Sequence, residues 1–317
     1  MSNLMAAPGM AMRQLNSSAF NEWGAIEQIA LRNVDAAFES DGRLDRDWQQ
    51  LRFHQRPDLE SARLEYQGFS SLIGTHCDNV MLLEGSEFLT LDSIYPRDAM
   101  IVTPAGLILC RMGRSSRRGE PRQNASTLAE NGFEVLGEIS APGTLEGGDF
   151  IWIDRHHAAV GLGPRTNEAG IIQLQQMLGE EVDLHRVPLA APAHPEDVFH
   201  LMSMISPLDR DLALIYRPLM PKPFLSWLES LGIQFVEVSE DEYLPMGCNV
   251  LATGPRRLIM LDGLPETRRR LLEAGCEVST YKGDEISRKG EGGPTCLTRP
   301  LVRRLVEQNV KDSGSEG

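Results

Sequence analysis

The sequence predicts an α/β fold in which five similar units close into a ring. A pattern of two short strands, a helix ended by glycine and a third strand recurs about every 50 residues. One such unit cannot cover both faces of its own sheet, so the units should pack around a common axis. Four residues with reactive side chains open these units at separations of 51, 51 and 96 residues: Asp98, Asp149, His200 and Cys296.

The units can be followed along the chain. The first complete copy begins at Asp98 with AMIVTP and LILCRM, continues through the helix-like QNASTLAENG and ends in FEVLGEI. The next three copies follow Asp149, His200 and Gly247 in the same order. The last copy opens at Cys296, and the N-terminal half supplies what it lacks with WGAIEQIALR, a helix around DLESARLEYQGFSSLIG, and NVMLLEG. A doubly wound α/β sheet with coincidental spacing is the alternative, but equivalent positions of a ring converge on its axis and would bring the four reactive residues together.

Composition narrows the classes of partner. The chain has 317 residues, 31 Lys and Arg against 45 Asp and Glu, and a formal net charge of −14. A basic face is needed to bind nucleic acid or an anionic membrane, so neither partner is expected, and a small cationic substrate fits better. The hydrophobic fraction of 41% is enough for a large core.

The sequence also predicts compartment and domain organisation. Its apolar runs are far shorter than the roughly 20 residues of a membrane helix, and the N-terminus lacks the features of a secretory signal. Five scattered cysteines without a CxxC pair indicate neither disulfides nor a zinc site. We expect a cytoplasmic protein with one catalytic domain over residues 19–310, between mobile tails at 1–18 and 311–317.

Two residues are candidates for covalent catalysis on their chemistry alone. Cys296 follows the glycine-rich GEGGP, which lets the backbone approach a ligand closely. Its thiolate would be the nucleophile, provided that a neighbouring cation favours ionisation. His200 can protonate a departing amine and then deprotonate water near neutral pH.

Several short motifs, taken in order, resemble the guanidino-group-modifying enzymes, which include dimethylarginine dimethylaminohydrolases, arginine deiminases and amidinotransferases. The motifs are DSIYPRDAM, SRRGEP, TLEGGDF, GLGPRTN, HLMS and GEGGPTCLTRP. The likeness runs from about residue 23 to about residue 305. It implies a single-domain, five-bladed pseudo-symmetric αββαβ propeller (pentein), a guanidine substrate, and neither a metal nor an organic cofactor.

The resemblance also implies roles for individual residues. It makes Cys296 the nucleophile, His200 the acid and base, and Glu146 the residue that orients the guanidinium and assists proton transfer. The residues that it implies for substrate binding are Asp92, Asp98, Asp149, Arg117 and Arg165. The carboxylates would pair with the guanidinium, and the two arginines would hold an α-carboxylate with their planar donor forks. For Asp149 the alternative is that it only caps its own turn.

Two departures leave the subfamily open. Arg97 stands where the dimethylarginine enzymes often carry a second acid, and Met202 stands where arginine deiminases carry an Asp. A methionine offers an apolar, adaptable surface that suits a substituted guanidinium nitrogen.

We therefore expect a cysteine hydrolase acting on arginine or an N-substituted arginine through a covalent thiouronium. Its products would be a ureido compound such as citrulline and an amine. The alternatives are an amidinotransferase, in which an amine resolves the same intermediate, and a non-catalytic propeller that binds arginine or a protein partner. The expected partners are the guanidino substrate and, at most, a second copy of the chain in a homodimer.

Overall fold

Five three-stranded sheets follow one another in the computed structural model, which describes Leu15 and residues 18–77, 79–190 and 199–304. In every sheet the first strand is antiparallel to the second, and the third is parallel to the second. A parallel neighbour requires a crossover, which a helix supplies in each unit. The predicted order of strand, strand, helix and strand is confirmed.

The strands are numbered along the chain. They are β1 (Ala25–Leu31), β2 (Asn79–Leu82), β3 (Met100–Thr103), β4 (Gly106–Leu109), β5 (Val135–Glu138), β6 (Phe150–Trp152), β7 (His157–Leu162), β8 (Asp183–Pro188), β9 (Ile205–Asp209), β10 (Leu212–Ile215), β11 (Gln234–Glu237), β12 (Leu251–Gly254), β13 (Arg257–Leu261), β14 (Glu277–Tyr281) and β15 (Arg299–Arg304). Strand β15 pairs with β1 and places Arg304 opposite Ala25. The two ends of the chain thus share one sheet and close the ring, as the sequence predicts.

The helices are also numbered along the chain. They are α1 (Val34–Ala37), α2 (Asp41–Asp47), α3 (Leu59–Gly74), α4 (Glu120–Ala129), α5 (Glu168–Leu178), α6 (Lys222–Ser230), α7 (Glu240–Tyr243) and α8 (Pro265–Glu273). Helix α3 begins after Asp58, whose carboxylate accepts a hydrogen bond from the Ser61 N–H. Helix α5 begins after Asn167, whose side chain caps the Gly170 N–H, and ends at Gly179, where φ is +83° and a side chain would be strained. The long helices α3, α4, α5, α6 and α8 are the crossovers of the five sheets.

Short 3₁₀ turns precede the first strand of three successive sheets and pack against one another. They are Pro96–Ala99, Gly147–Asp149 and Leu201–Ser203. The first two contain Asp98 and Asp149, and His200 immediately precedes the third. Equivalent positions of the units therefore meet, which brings these three residues together.

Most of the chain's two ends lie outside the described residues, including the whole predicted tail at 311–317 and most of that at 1–18. Two members of the N-terminal segment are described, and both Leu15 and Ser18 are buried. The Ser18 hydroxyl donates a hydrogen bond to the Arg303 carbonyl at 3.1 Å, so the packed structure includes Ser18. In the described ranges, no helix combines the length and the apolar character that a bilayer crossing needs.

Candidate active site

A cavity of about 280 Å³ contains both residues expected to carry out covalent chemistry. Cys296 and His200 line it together with Gly148, Met202 and Asn249. None of the five cysteines, all of which the structure describes, forms a disulfide; four of them are buried, whereas Cys296 is partly exposed. The ring thus brings residues 96 positions apart in sequence to one cavity, with the accessible thiol among them.

His200 is a buried imidazole surrounded by carboxylates. Its Nε2 lies 2.7 Å from Glu146 Oε2, and its Nδ1 lies 3.9 Å from Asp98 Oδ1. Burial by itself lowers the pKa of His200, but Asp98, Asp149 and Glu146 outweigh that effect and raise the pKa to about 9. The ring is therefore an imidazolium at neutral pH and has a proton to donate.

Glu146 is fully buried and remains ionised. Burial raises the pKa of this carboxyl, but the hydrogen bond and charge of His200 and the charge of Arg165 hold it well below its usual range. The carboxylate also accepts hydrogen bonds from the Arg114 N–H at 3.1 Å and from Arg165 Nη1 at 3.2 Å. It therefore fixes the orientation of His200 and keeps that ring charged.

Asp98 has one carboxylate oxygen in use and one without a hydrogen-bond partner. Oδ2 accepts a hydrogen bond from Arg117 Nη1 at 2.5 Å, while the buried Oδ1 has no hydrogen bond to any described residue. A Cβ on Gly148 would lie 2.6 Å from this Oδ1 and 2.7 Å from His200 Nδ1. Only glycine permits this approach, which places Gly148 at the cavity wall and the buried Asp98 Oδ1 behind it, beside His200.

The thiol of Cys296 is held by Asn249. Asn249 Nδ2 lies 3.3 Å from Cys296 Sγ, and its Oδ1 accepts hydrogen bonds from the N–H and the hydroxyl of Thr295. Burial and the negative charge of Asp98 raise the pKa of the Cys296 thiol. The thiol is therefore protonated at rest, and a cation entering the cavity would favour its ionisation.

Asp149 and Asp92 contact protein groups and are not among the residues that line the cavity, so their binding of substrate remains a prediction. Asp149 Oδ2 accepts from the Thr166 hydroxyl at 2.6 Å and Oδ1 from the Leu201 N–H at 3.0 Å, while burial raises its pKa to about 6. Asp149 thus holds the turn that follows His200, rather than only its own turn. Asp92 forms a 3.0 Å ion pair with Arg114, and burial raises its pKa.

The two arginines expected to hold an α-carboxylate are engaged with carboxylates of the protein. Arg117 donates from Nε and Nη2 to Glu120 at 2.8 and 2.7 Å, in addition to its bond to Asp98. Arg165 donates to Glu146. Neither side chain lines the cavity. In this structure they hold Asp98 and Glu146, because buried carboxylates require such partners, and their binding of a substrate α-carboxylate remains a prediction.

Sequence reasoning missed Asn249 and the charged rim of the cavity. Asn249 lies 49 residues after His200 and 47 before Cys296, so the repeat period itself points to it. The rim contains Arg288 and an ion pair in which His54 Nε2 is 2.9 Å from Glu291 Oε1. These exposed residues belong to no repeated motif, so the pattern gave no signal for them. Met202 lines the cavity.

The donor atoms of Asp98, Glu146 and His200 lie within 4.8 Å of one another, a spacing at which three such groups could hold a metal ion. A metal-bound histidine must be neutral. His200 instead has a pKa of about 9 and shares a proton with Glu146 at 2.7 Å. A metal ion at this set would therefore have to displace the proton between His200 and Glu146.

Comparisons with known proteins agree with the fold and the predicted superfamily. The N(G),N(G)-dimethylarginine dimethylaminohydrolase of Pseudomonas aeruginosa is 28% identical over 244 residues, which cover 77% of this chain and 89% of that protein. A solved structure of that enzyme, a cysteine-to-serine mutant complexed with citrulline, covers 86% of this chain and 98% of its own, at 24% identity and a TM-score of 0.68.

Two further proteins are similar. The dimethylarginine dimethylaminohydrolase of Streptomyces coelicolor is 32% identical over 210 residues, covering 65% of this chain and 73% of that protein. An amidinotransferase structure from Microseira wollei covers 92% of this chain and 99% of its own, with a TM-score of 0.73 at 16% identity, a likeness of fold alone. The family model described as N,N dimethylarginine dimethylhydrolase, eukaryotic, matches residues 38–303. The chain belongs to this dimethylarginine dimethylhydrolase family.

Proposed function

We propose that the chain is a cofactor-independent cysteine hydrolase of the guanidino group of arginine or an N-substituted arginine. One observation carries the proposal: the partly exposed Cys296 and the protonated His200 line a single cavity, and Asp98 Oδ1, which has no hydrogen-bond partner among the described residues, lies 3.9 Å from His200 Nδ1. These are a nucleophile, an acid and a carboxylate suited to a planar cation.

The first half-reaction begins when the guanidinium binds beside Asp98. Its positive charge lowers the pKa of the Cys296 thiol, which burial and Asp98 otherwise raise, so the thiol releases its proton to solvent and becomes a thiolate. The thiolate attacks the guanidino carbon, and the bond from that carbon to the leaving nitrogen breaks. His200 gives its proton to this nitrogen, so an amine departs and a thiouronium remains on Cys296.

The second half-reaction uses the same residues in reverse roles. His200, now neutral, takes a proton from water, and the resulting hydroxide attacks the thiouronium carbon. The carbon–sulfur bond then breaks, the proton of the added hydroxyl passes through solvent to the departing sulfur, and the ureido product leaves with the Cys296 thiol restored. Glu146 stays ionised throughout and holds the imidazole in place, while Arg117 and Arg165 position the carboxylates.

The cavity wall favours a substituted guanidinium nitrogen. Met202, Met246 and Leu244 give it an apolar surface. An unsubstituted terminal nitrogen facing such a surface would leave a buried donor without a partner, at a cost of about 1–3 kcal/mol. A methyl group would fit it instead. We infer a preference for N-methylated arginine, the substrate class for which the two curated relatives are named.

Amidino transfer is the main alternative, because the first half-reaction is the same and only the acceptor differs. The test is a panel of arginine, its mono- and dimethylated forms and agmatine, with products identified by mass. Each substrate is assayed with and without glycine or lysine. Hydrolysis predicts a ureido product in both conditions, transfer predicts a new guanidino compound only with the amine, and a binding protein predicts neither.

The assignment of Cys296, His200, Glu146 and Asp98 to these roles is part of the same proposal. A reducing cytoplasm and at most a homodimer remain predictions of the sequence.

A further inference from the structure

A second polar cluster lies in the interior, next to the catalytic cavity. It consists of three arginines and one glutamate: Arg97, Arg299, Arg303 and Glu22. All four are buried, with exposed fractions of 2%, 3%, 5% and 7% in that order. Arg97 is the residue at which the sequence departs from the dimethylarginine enzymes, and it lines both the cavity of Cys296 and the one described below.

The donors of this cluster are only partly satisfied. Arg97 Nη1 pairs with Glu22 at 3.0 Å, and Arg303 Nη1 donates to the Gly24 and Ala252 carbonyls at 2.6 and 2.8 Å. Arg299 Nε and Nη1 and Arg303 Nη2 are buried and have no hydrogen-bond partner in the part of the chain that the structure describes. Buried donors of charged groups are rarely left unpaired, because each costs at least about 1–3 kcal/mol.

The charges are also unbalanced. Three guanidinium groups stand against one carboxylate, and that carboxylate pairs with Arg97. Burial and the charge of Arg97 lower the pKa of Arg299 to about 9, and burial lowers the pKa of Arg303 to about 10. Both side chains keep their charge at neutral pH. The nearby Cys110 thiol does not supply an anion, since burial raises its pKa well above the usual value.

A small cavity is lined by the residues that carry the unpaired donors. Its volume is about 30 Å³. The residues that line it include Arg97, Arg299, Arg303, Glu22, Asn21 and Trp152. One water requires roughly 10–15 Å³ by this measure, so a single small anion fits and a large organic anion does not.

We propose that this cavity binds one small inorganic monoanion, such as chloride, held by the unpaired donors of Arg299 and Arg303. The anion balances the excess positive charge of the arginines and accepts hydrogen bonds from their unpaired N–H groups. Its binding stabilises the folded chain, because the unfolded chain has no such site. The site stands on its own observations and does not depend on the proposed hydrolase activity.

Bromide is the probe for location. Crystals of the full-length protein grown or soaked in sodium bromide are measured at the bromine absorption edge. The proposal predicts an anomalous peak in contact with Arg299 Nε. Ordered water at that position, with no peak, would overturn it.

Thermal unfolding tests the energetic consequence. The midpoint is measured in sodium chloride and in sodium gluconate at equal ionic strength. We expect chloride to raise it by about 2–4 °C. Arg299→Met should abolish this difference, while Arg122→Met, which removes an exposed arginine paired with Glu138, should keep it.

Each outcome of this comparison either supports or refutes the anion site. Equal midpoints of the unaltered protein in the two salts would refute the proposal. So would an Arg299→Met protein that keeps the chloride effect. If that variant does not fold, the bromide peak decides.

Discussion

Glu146→Gln is the substitution that probes the catalytic arrangement most sharply. It keeps the shape of the side chain and removes the negative charge that lies 2.7 Å from His200 Nε2. A hydrogen bond between charged groups is worth about 1.5–3 kcal/mol, and one pKa unit corresponds to about 1.36 kcal/mol. The pKa of His200 should therefore fall by about one to two units, from about 9 to about 7–8.

The consequence is a change in pH dependence. His200 must carry a proton to expel the leaving nitrogen, so kcat/KM falls as the pH rises through the pKa of the free enzyme's imidazolium. We expect this alkaline limb near pH 9 in the unaltered protein and about one to two units lower in Glu146→Gln. The stability of the folded protein should also decrease at alkaline pH. The raised pKa of His200 increases the free energy of unfolding. This contribution is fully present below about pH 6.5, the ordinary pKa of histidine, and is lost as the pH rises through about 9.

The assay is kcat/KM from pH 6 to 10, with the His200 titration followed by NMR. Asp154→Asn is the matched control, because Asp154 lies 2.9 Å from the ring of His157, a partly exposed pair that does not line the cavity. The control should leave the alkaline limb unchanged. An unmoved limb in Glu146→Gln would show that Glu146 does not set the charge of His200.

The remaining predictions concern the nucleophile, the backbone at the site and the substrate. Cys296→Ser should lower kcat by at least about 10⁴-fold with an unchanged circular dichroism spectrum, and an amidine electrophile should label one thiol in the parent and none in the variant. Gly148→Ala should lower kcat/KM by about 100-fold, because its Cβ would displace Asp98 or His200, and retained activity would argue against this geometry. In direct competition, N-methylated arginine should be consumed about tenfold faster than arginine, scored as methylamine against ammonia, and Met202→Ala should reduce that ratio. A preference for unmethylated arginine would contradict this prediction and would favour a deiminase or an amidinotransferase activity.

The architecture was accessible from the sequence because it repeats. Each unit applies the same alternation of short apolar strands and a glycine-ended helix, so a local pattern recurring about every 50 residues carried information about the whole ring. Closure by β1 and β15 followed because the last unit lacked strands that the N-terminal half could supply. The burial of Ser18 was not accessible, because its partner is the Arg303 carbonyl, 285 positions away.

Only part of the candidate site could be predicted from the sequence, for a physical reason. Cys296 and His200 stand at repeat openings, and these positions converge on the axis. Motifs identify which residues gather there but not which carboxylate pairs with which arginine. Arg117 could bind a substrate or a protein carboxylate with equal chemistry, and the choice depends on Glu120 being three residues away on the first turn of α4.

The most direct measurement of the central claim is the fate of the guanidino carbon during turnover in H₂¹⁸O. Dimethylarginine is reacted with the protein, the reaction is quenched at early times, and both the intact protein and the small products are weighed by mass spectrometry. The mechanism predicts a transient thiouronium adduct that maps to Cys296 and a ureido product that carries ¹⁸O from the solvent, with dimethylamine released. An adduct that is resolved only when an added amine is present, or turnover without any adduct on Cys296, would contradict it.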